Sequence, residues 1–314
     1  MLLKFDHYAY CPISVGVVCV LTLLSIACGG SSSGSSSSTV PAPKTPSPAG
    51  QPTFDHVVLV VEENHGYSEV VGNPLMPYFN SLVSQYGMAT QYFANAHPSL
   101  PNYLMLTTGI METTTDTYSG TITDDNVVRE LVKTGKSWKA YAESLPSTGY
   151  LGGDSGNYVQ RHNPFTYLED VQNDTSQTAN IVTFSQFATD LTNGALPQYS
   201  FVVPNLLDDA HDGTLAEADA WLRKNIGPLI DDPSFQKSGL LIITFDEGTL
   251  SDIDHGGGQV AMLLISTQIK PGFQSQAVYQ HQSALRLILE SSGVNAFPGM
   301  AGNAPNMAEF FIGH

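Results

Sequence analysis

Three uninterrupted apolar runs constrain this chain more than anything else in it: "HVVLVV" at 56–61, "GLLIITF" at 239–245 and "QVAMLLIS" at 259–266. A strand with one wet face alternates apolar and polar residues. A run without alternation needs cover on both faces, which is the situation of a strand in a largely parallel sheet between helices. Patterns of helical period lie between these runs, at 76–87, 102–109, 124–135, 184–194, 214–226 and 280–293, several of them stopped by a glycine. Shorter strand-like stretches occur at 137–143 and 198–204. Strands separated by helices predict an α/β fold, a three-layer α/β/α sandwich around a largely parallel sheet.

The fold is expected to begin near Thr53. Residues 13–27, "ISVGVVCVLTLLSIA", are uncharged and apolar, the length of an export signal's core and short for a membrane span. Cys28 follows directly and is followed by Gly and Ser, the pattern of a lipoprotein signal in which Cys28 carries the lipid, although Ser25 stands where such signals usually have Leu. The expected organisation is a signal at 1–27, a Ser/Gly/Pro-rich tether at 28–52 and one domain at 53–314. All three cysteines, Cys11, Cys19 and Cys28, precede that domain, which excludes internal disulfides and a catalytic thiol. The expected location is outside a bacterial cytoplasm, lipid-anchored at the cell envelope or else secreted or periplasmic.

Net charge is −17, with 29 acidic against 12 basic residues. Such a surface repels nucleic acids and anionic membranes, so no nucleic-acid partner is expected and membrane contact only through the lipid. A concentrated acidic cluster suits a cation, and the residues after the strands supply one. "EENH" follows the first run, with Glu62, Glu63, Asn64 and His65; "NLLDDAHDG" follows residues 198–204, with Asp208, Asp209, His211 and Asp212; "DEG" follows the run ending at 245, with Asp246 and Glu247. Any one such residue is ordinarily a turn-former or helix cap. Three acidic clusters at one sheet edge would repel one another without a divalent cation, of which one is expected and a second is possible.

Ser99 stands in "HPSLPNYLMLTTG", at the start of a helix where backbone amides favour an anion. It is either a plain N-cap or a nucleophile activated by the cation.

Taken together, "FDHVVLVVEENHGYSEVVG", "HPSLPNYLMLTTG", "VPNLLDDAHDG", "LIITFDEG", "DHGGGQVAMLLIS" and "HQSALRLILE" resemble the bacterial phosphoesterase family, which includes acid phosphatases, phosphatidylinositol-3-phosphatase-like enzymes and phospholipases C within the alkaline phosphatase superfamily. The resemblance covers about residues 54–312. It implies an alkaline-phosphatase-like fold and a metal held by Glu63, Asn64, Asp246 and Glu247. It further implies a phosphorylated nucleophile at Ser99, and phosphate contacts from His97 and Asn102. Asp209 and His211 resemble a second metal or leaving-group segment, and His255 is similar in placement to a final histidine ligand. Position 207 is Leu, so a second-site carboxylate would come from Asp208, Asp209 or Asp212; Glu247 stands where many relatives have His. That leaves His211 and His255 as phosphate binders or general acids. His56, His162 and His281 are expected to be structural. The implied activity is hydrolysis of a phosphate monoester, the alternatives being a phospholipase C-type diesterase or a non-catalytic cation-binding surface lipoprotein.

Overall fold

The computed structural model describes residues 51–313; the export segment, Cys28 and most of the tether lie outside them. The described strands are β1 (His56–Glu62), β2 (Gly87–Ala89), β3 (Tyr92–Phe93), β4 (Trp138–Ala142), β5 (Ile181–Thr183), β6 (Tyr199–Val203), β7 (Gly239–Phe245), β8 (Met262–Ile265), β9 (Gln274–Ser275) and β10 (Tyr279–Gln280). Eight form one sheet in the order β5-β4-β6-β1-β7-β8-β2-β9, and β3 pairs with β10 separately.

The two longest runs lie side by side at the centre. β1 pairs in parallel with β7 from His56 opposite Gly239 to Glu62 opposite Phe245, and with β6 on its other side. Every residue of β7 is buried, as is β1 from Val57 onward, which is what the unalternating runs required. β8 departs from the parallel pattern: it runs antiparallel to both β7 and β2, and covers only the middle of the expected strand at 259–266. The Ser99–Thr108, Val127–Lys133 and His281–Ser291 helices pack on one another, while the Pro77–Val83 helix packs on the Leu215–Trp221 helix and its continuation. These two groups are the helical layers of an α/β architecture.

Because β6, β1 and β7 are parallel neighbours, their carboxyl ends open at one edge, where polar groups gather. The chain enters the fold earlier than Thr53, since the Gln51 amide already donates to the Leu287 carbonyl and to Ser291 Oγ.

The "HGGG" run earns its glycines here. The Ala94 N–H donates to the Gly258 carbonyl, and the Gly257 N–H donates to the Ala94 carbonyl, so this loop lies directly against the turn that leads to Ser99. A Cβ on Gly257 would sit 2.4 Å from the Ala96 carbonyl oxygen. Gly257→Ala is therefore expected to lower stability by about 1–3 kcal/mol. In contrast, Gly153→Ala, which meets nothing within 4 Å, stays within about 0.5 kcal/mol. Urea denaturation of the two variants checks this, and equal midpoints would contradict it.

Candidate active site

Glu63 follows β1 and is wholly buried. Its Oε2 accepts from the Ser99 hydroxyl at 3.1 Å and from Asn64 Nδ2 at 3.1 Å, and its Oε1 accepts from the Tyr103 hydroxyl at 2.5 Å. Asn64 has a left-handed backbone, φ 57°, a conformation Asn tolerates better than most side chains. That turn brings its N–H to Asp246 Oδ1 at 3.0 Å, tying the end of β1 to the residue after β7.

Ser99 is the first residue of its helix and is buried, but it is not the cap: Pro98 occupies that position, and no side chain caps the helix. The Ser99 hydroxyl instead faces Glu63 and, at 3.5 Å, Glu247 Oε1. The next amide, Leu100 N–H, donates to Asp116 Oδ1 at 2.9 Å.

Asp246 and Glu247 are both buried. The Asp246 carbonyl accepts from His281 Nε2 at 2.6 Å, and His281 Nδ1 accepts from the Tyr92 hydroxyl at 2.9 Å, so a neutral imidazole locks the backbone of the acidic pair. Burial pushes the His281 pKa down to about 4, consistent with that neutral form. The structural reading of His281 thus holds, with the addition that what it holds is the site.

His162, expected to be structural, lies in the middle of the cluster. Its Nε2 is 3.2 Å from Glu63 Oε1 and its Nδ1 is 3.3 Å from Asp209 Oδ2, yet neither ring nitrogen makes a well-formed hydrogen bond. Its ring stacks on Tyr103 with centroids 5.2 Å apart. His211 completes this side: its N–H donates to Asp209 Oδ1 at 2.8 Å, its Nδ1 meets Asp212 Oδ1 at 2.7 Å, and its Nε2 faces Arg161 Nη2 at 3.2 Å. Glu63, His162 and His211 each offer a donor atom within 4.8 Å of the others. The only hint of His162 in the sequence is "RHNPF", a polar pair before a proline in a loop.

Three candidates take up other positions. Asn102 is wholly buried, but its Oδ1 accepts from the Asn95 and Ala96 amides and its Nδ2 donates to the Ala96 and Pro98 carbonyls, so it shapes the turn before Ser99 and has nothing left for phosphate. His97 is held between Glu247 Oε2 and the Asp252 carbonyl, each at 2.8 Å, and so supports a carboxyl of the cluster instead of facing substrate. His255 is exposed, has φ 54° and lies on the Phe93 ring with centroids 4.1 Å apart.

The electrostatics follow from burial. Desolvation, followed by the neighbouring Asp246 charge, pushes the Glu247 pKa up to about 9. Desolvation likewise lifts Asp209 to about 7 and Asp246 to about 6, and raises Glu63 well above the usual range. Burial and the Arg161 charge hold His162 neutral, its pKa well below the usual value. Asp246 Oδ2, Asp209 Oδ2 and both His162 nitrogens are buried without a well-formed hydrogen bond. Converging carboxylates, an amide and the neutral His162 imidazole with its unused ring nitrogens fit a divalent cation: oxygen donors from Glu63, Asn64, Asp246 and Glu247, with a mixed nitrogen and oxygen set beside them.

A family model described as the phosphoesterase family matches residues 73–295. The chain belongs to the phosphoesterase family. This phosphoesterase is 33% identical to the phosphatidylinositol-3-phosphatase of Mycobacterium tuberculosis over 83% of its own length and 84% of that relative's. It is 30% identical to a probable acid phosphatase of Kluyveromyces lactis over 74% of the chain, and there it spans 56% of the longer relative. Among solved structures, a Vibrio parahaemolyticus protein in the alkaline phosphatase superfamily shares the fold, with TM-score 0.58 at 15% identity over 80% of this chain and 69% of that one. So does a Pseudoalteromonas sulfatase, with TM-score 0.53 at 10% identity over 82% and 72% of the two chains. The phosphoesterase is accordingly a hydrolase acting on phosphoric ester bonds, with an alkaline-phosphatase-like fold and a possible metal site.

A pH dependence follows for the metal-free protein. Above pH 6.5 the unfolded chain has lost its carboxyl protons, whereas folded Asp209 and Glu247, with pKa values of about 7 and 9, still bind theirs. The folded state then holds the extra protons, and stability falls as pH rises to 9. In chelator, the melting temperature is expected to drop by several degrees between pH 6.5 and pH 9, and a saturating divalent cation to suppress the drop. A flat profile in chelator would contradict this account.

Proposed function

We propose that this phosphoesterase is an exported, metal-dependent phosphomonoesterase that works through a phosphoserine on Ser99. The observation that carries the reading is the Ser99 hydroxyl, buried at the first turn of its helix, 3.1 Å from Glu63 Oε2 and 3.5 Å from Glu247 Oε1. A bound divalent cation would neutralise these carboxylates and lower the pKa of the hydroxyl. Glu63, Asn64, Asp246 and Glu247 would hold it, and Asp209, His162 and His211 offer donors for a second.

The Ser99 oxygen would form a bond to phosphorus as the ester oxygen leaves, the hydroxyl proton having an acceptor in Glu63 Oε2. The departing oxygen needs a proton, and His211 in its imidazolium form is better placed to give one than exposed His255, with Nδ1–H held by Asp212 and Nε2 on the Arg161 side of the site. Water would then cleave the phosphoserine to phosphate and free serine. The substrate reading, an acid-phosphatase or phosphatidylinositol-3-phosphatase type of monoester, is supported by the names of the relatives.

Ser99→Ala is expected to lower kcat by at least about a thousandfold on an aryl phosphate. Acid quench of the wild type during turnover should leave phosphate on Ser99, located by mass spectrometry. A fully active Ser99→Ala variant would overturn the mechanism, and faster turnover of an aryl diester or phosphatidylcholine would favour the phospholipase C reading. A wild type inactive with every divalent cation would favour a binding protein.

The export part of the reading rests on residues 13–27 and Cys28. Cys28→Ser is expected to move the protein from the membrane fraction to the soluble fraction of a bacterial host. Unchanged fractionation would rule out the lipid anchor.

A further inference from the structure

We propose that Arg161 is the cation that grips the substrate phosphate, and that the Asp116 carboxylate occupies this grip in the structure described above. The inference rests on the phosphomonoesterase reading and adds a binding residue to the same site. Arg161 stands in a single turn, Gln160–His162, next to the histidine at the heart of the cluster. Its Nη2 is 3.2 Å from His211 Nε2, its Nε is 3.7 Å from Asp116 Oδ2 and its Nη1 is 3.8 Å from Asp154 Oδ2. The last two are ion-pair separations too long for hydrogen bonds, so among the described residues one contact of a five-donor guanidinium is at hydrogen-bond length.

The position of Asp116 is what makes Arg161 a phosphate ligand and not merely a surface charge. One oxygen of Asp116 accepts from Leu100 N–H, the amide adjoining the nucleophilic serine, and the other faces the guanidinium. A two-oxygen anion thus bridges a backbone donor beside Ser99 and an arginine beside His211, the proposed leaving-group acid. Two oxygens of a phosphoryl group attacked by Ser99 would find the same pair of donors. The contacts close into a circuit around the serine: Ser99 to Glu63, Glu63 to His162, His162 tilted against His211 with ring centroids 5.6 Å apart, His211 to Arg161, Arg161 to Asp116, and Asp116 to the Leu100 amide.

Charge argues the same way. A phosphate dianion entering beside Glu63, Asp209, Asp246 and Glu247 in a protein of net charge −17 meets repulsion from every carboxylate that neither a cation nor a proton neutralises, and a guanidinium fork offsets it with directional, charge-assisted bonds. Asp116 is replaceable: a third of its side chain is exposed, and it lies on a stretch in which Thr114, Thr115, Thr117, Ser119 and Gly120 are all exposed.

The test uses the metal-loaded, full-length protein, with inorganic phosphate as competitive inhibitor of aryl phosphate hydrolysis. Arg161→Ala is expected to raise both KM and the phosphate inhibition constant by roughly tenfold to a hundredfold. Arg161→Lys should recover part of that loss, and Asp116→Asn should lower both constants several-fold by vacating the grip. An unchanged inhibition constant in folded Arg161→Ala overturns the assignment of Arg161, and an unchanged or raised one in Asp116→Asn overturns the competing role of Asp116. Melting curves establish that each variant is folded. If Arg161→Ala is not folded, Arg161→Lys and Arg161→Gln carry the comparison, and equal phosphate constants in those two overturn it. Calorimetric titration of phosphate into wild type and variants applies the same criteria without turnover, so an inactive wild type would count against the phosphomonoesterase reading alone.

Discussion

Everything at this site depends on one unfavourable act, the burial of several carboxyl groups at the carboxyl edge of a sheet. Glu63, Asp209, Asp246 and Glu247 are all nearly or wholly shielded from water. Desolvating one ion costs several kcal/mol even after the protein relaxes, and a domain has only about 5–15 kcal/mol of stability to lose. Four ionised groups cannot be carried on those terms by hydrogen bonds alone. The partners that are present, Asn64, Tyr103, Ser99 and the imidazoles, relieve part of the cost, and the Asp209 and Asp246 oxygens that accept no well-formed hydrogen bond show where relief is missing. Retained protons relieve the rest in the metal-free protein, and a bound cation would relieve it where those protons are lost.

The central part of the fold was legible in the sequence because burial on both faces leaves a continuous apolar signature, as in β1 and β7. β8 was seen as a strand, but its direction was not, since side-chain pattern carries no information about whether a neighbour runs parallel or antiparallel. β2 and β9, at the sheet's edge, are two or three residues long and have no periodicity to detect.

The site was legible where charges cluster after strands and illegible where a single side chain travels far. Glu63, Asn64, Asp246 and Glu247 are brought together with Ser99. Asp209 and His211 come to the same place on a separate loop. His162 and Arg161 sit some fifty residues before His211 in an irregular segment, and only the packing of Tyr103 and Asp116 against them shows what they face. In the opposite direction, the polar look of the turn before Ser99 overstates its chemistry. Asn102 and His97 are polar because a backbone turn and a carboxyl need partners. That a sulfatase shares the fold of this phosphoesterase makes the same point, since chemistry resides in the groups placed on the scaffold and not in the scaffold itself.

His281 carries a consequence that reaches beyond its grip on Asp246. Buried and neutral, with a pKa of about 4, it takes up no proton over a range in which an unfolded chain's histidines do, and neutral His162 behaves likewise. Between about pH 4 and 6.5 these two imidazoles therefore weaken the folded state as the medium turns acid, while the buried carboxyls, protonating more readily than they would in water, strengthen it. The two titrations oppose each other within one cluster. Acidification of the metal-free protein therefore costs the fold less than the two buried imidazoles would impose by themselves.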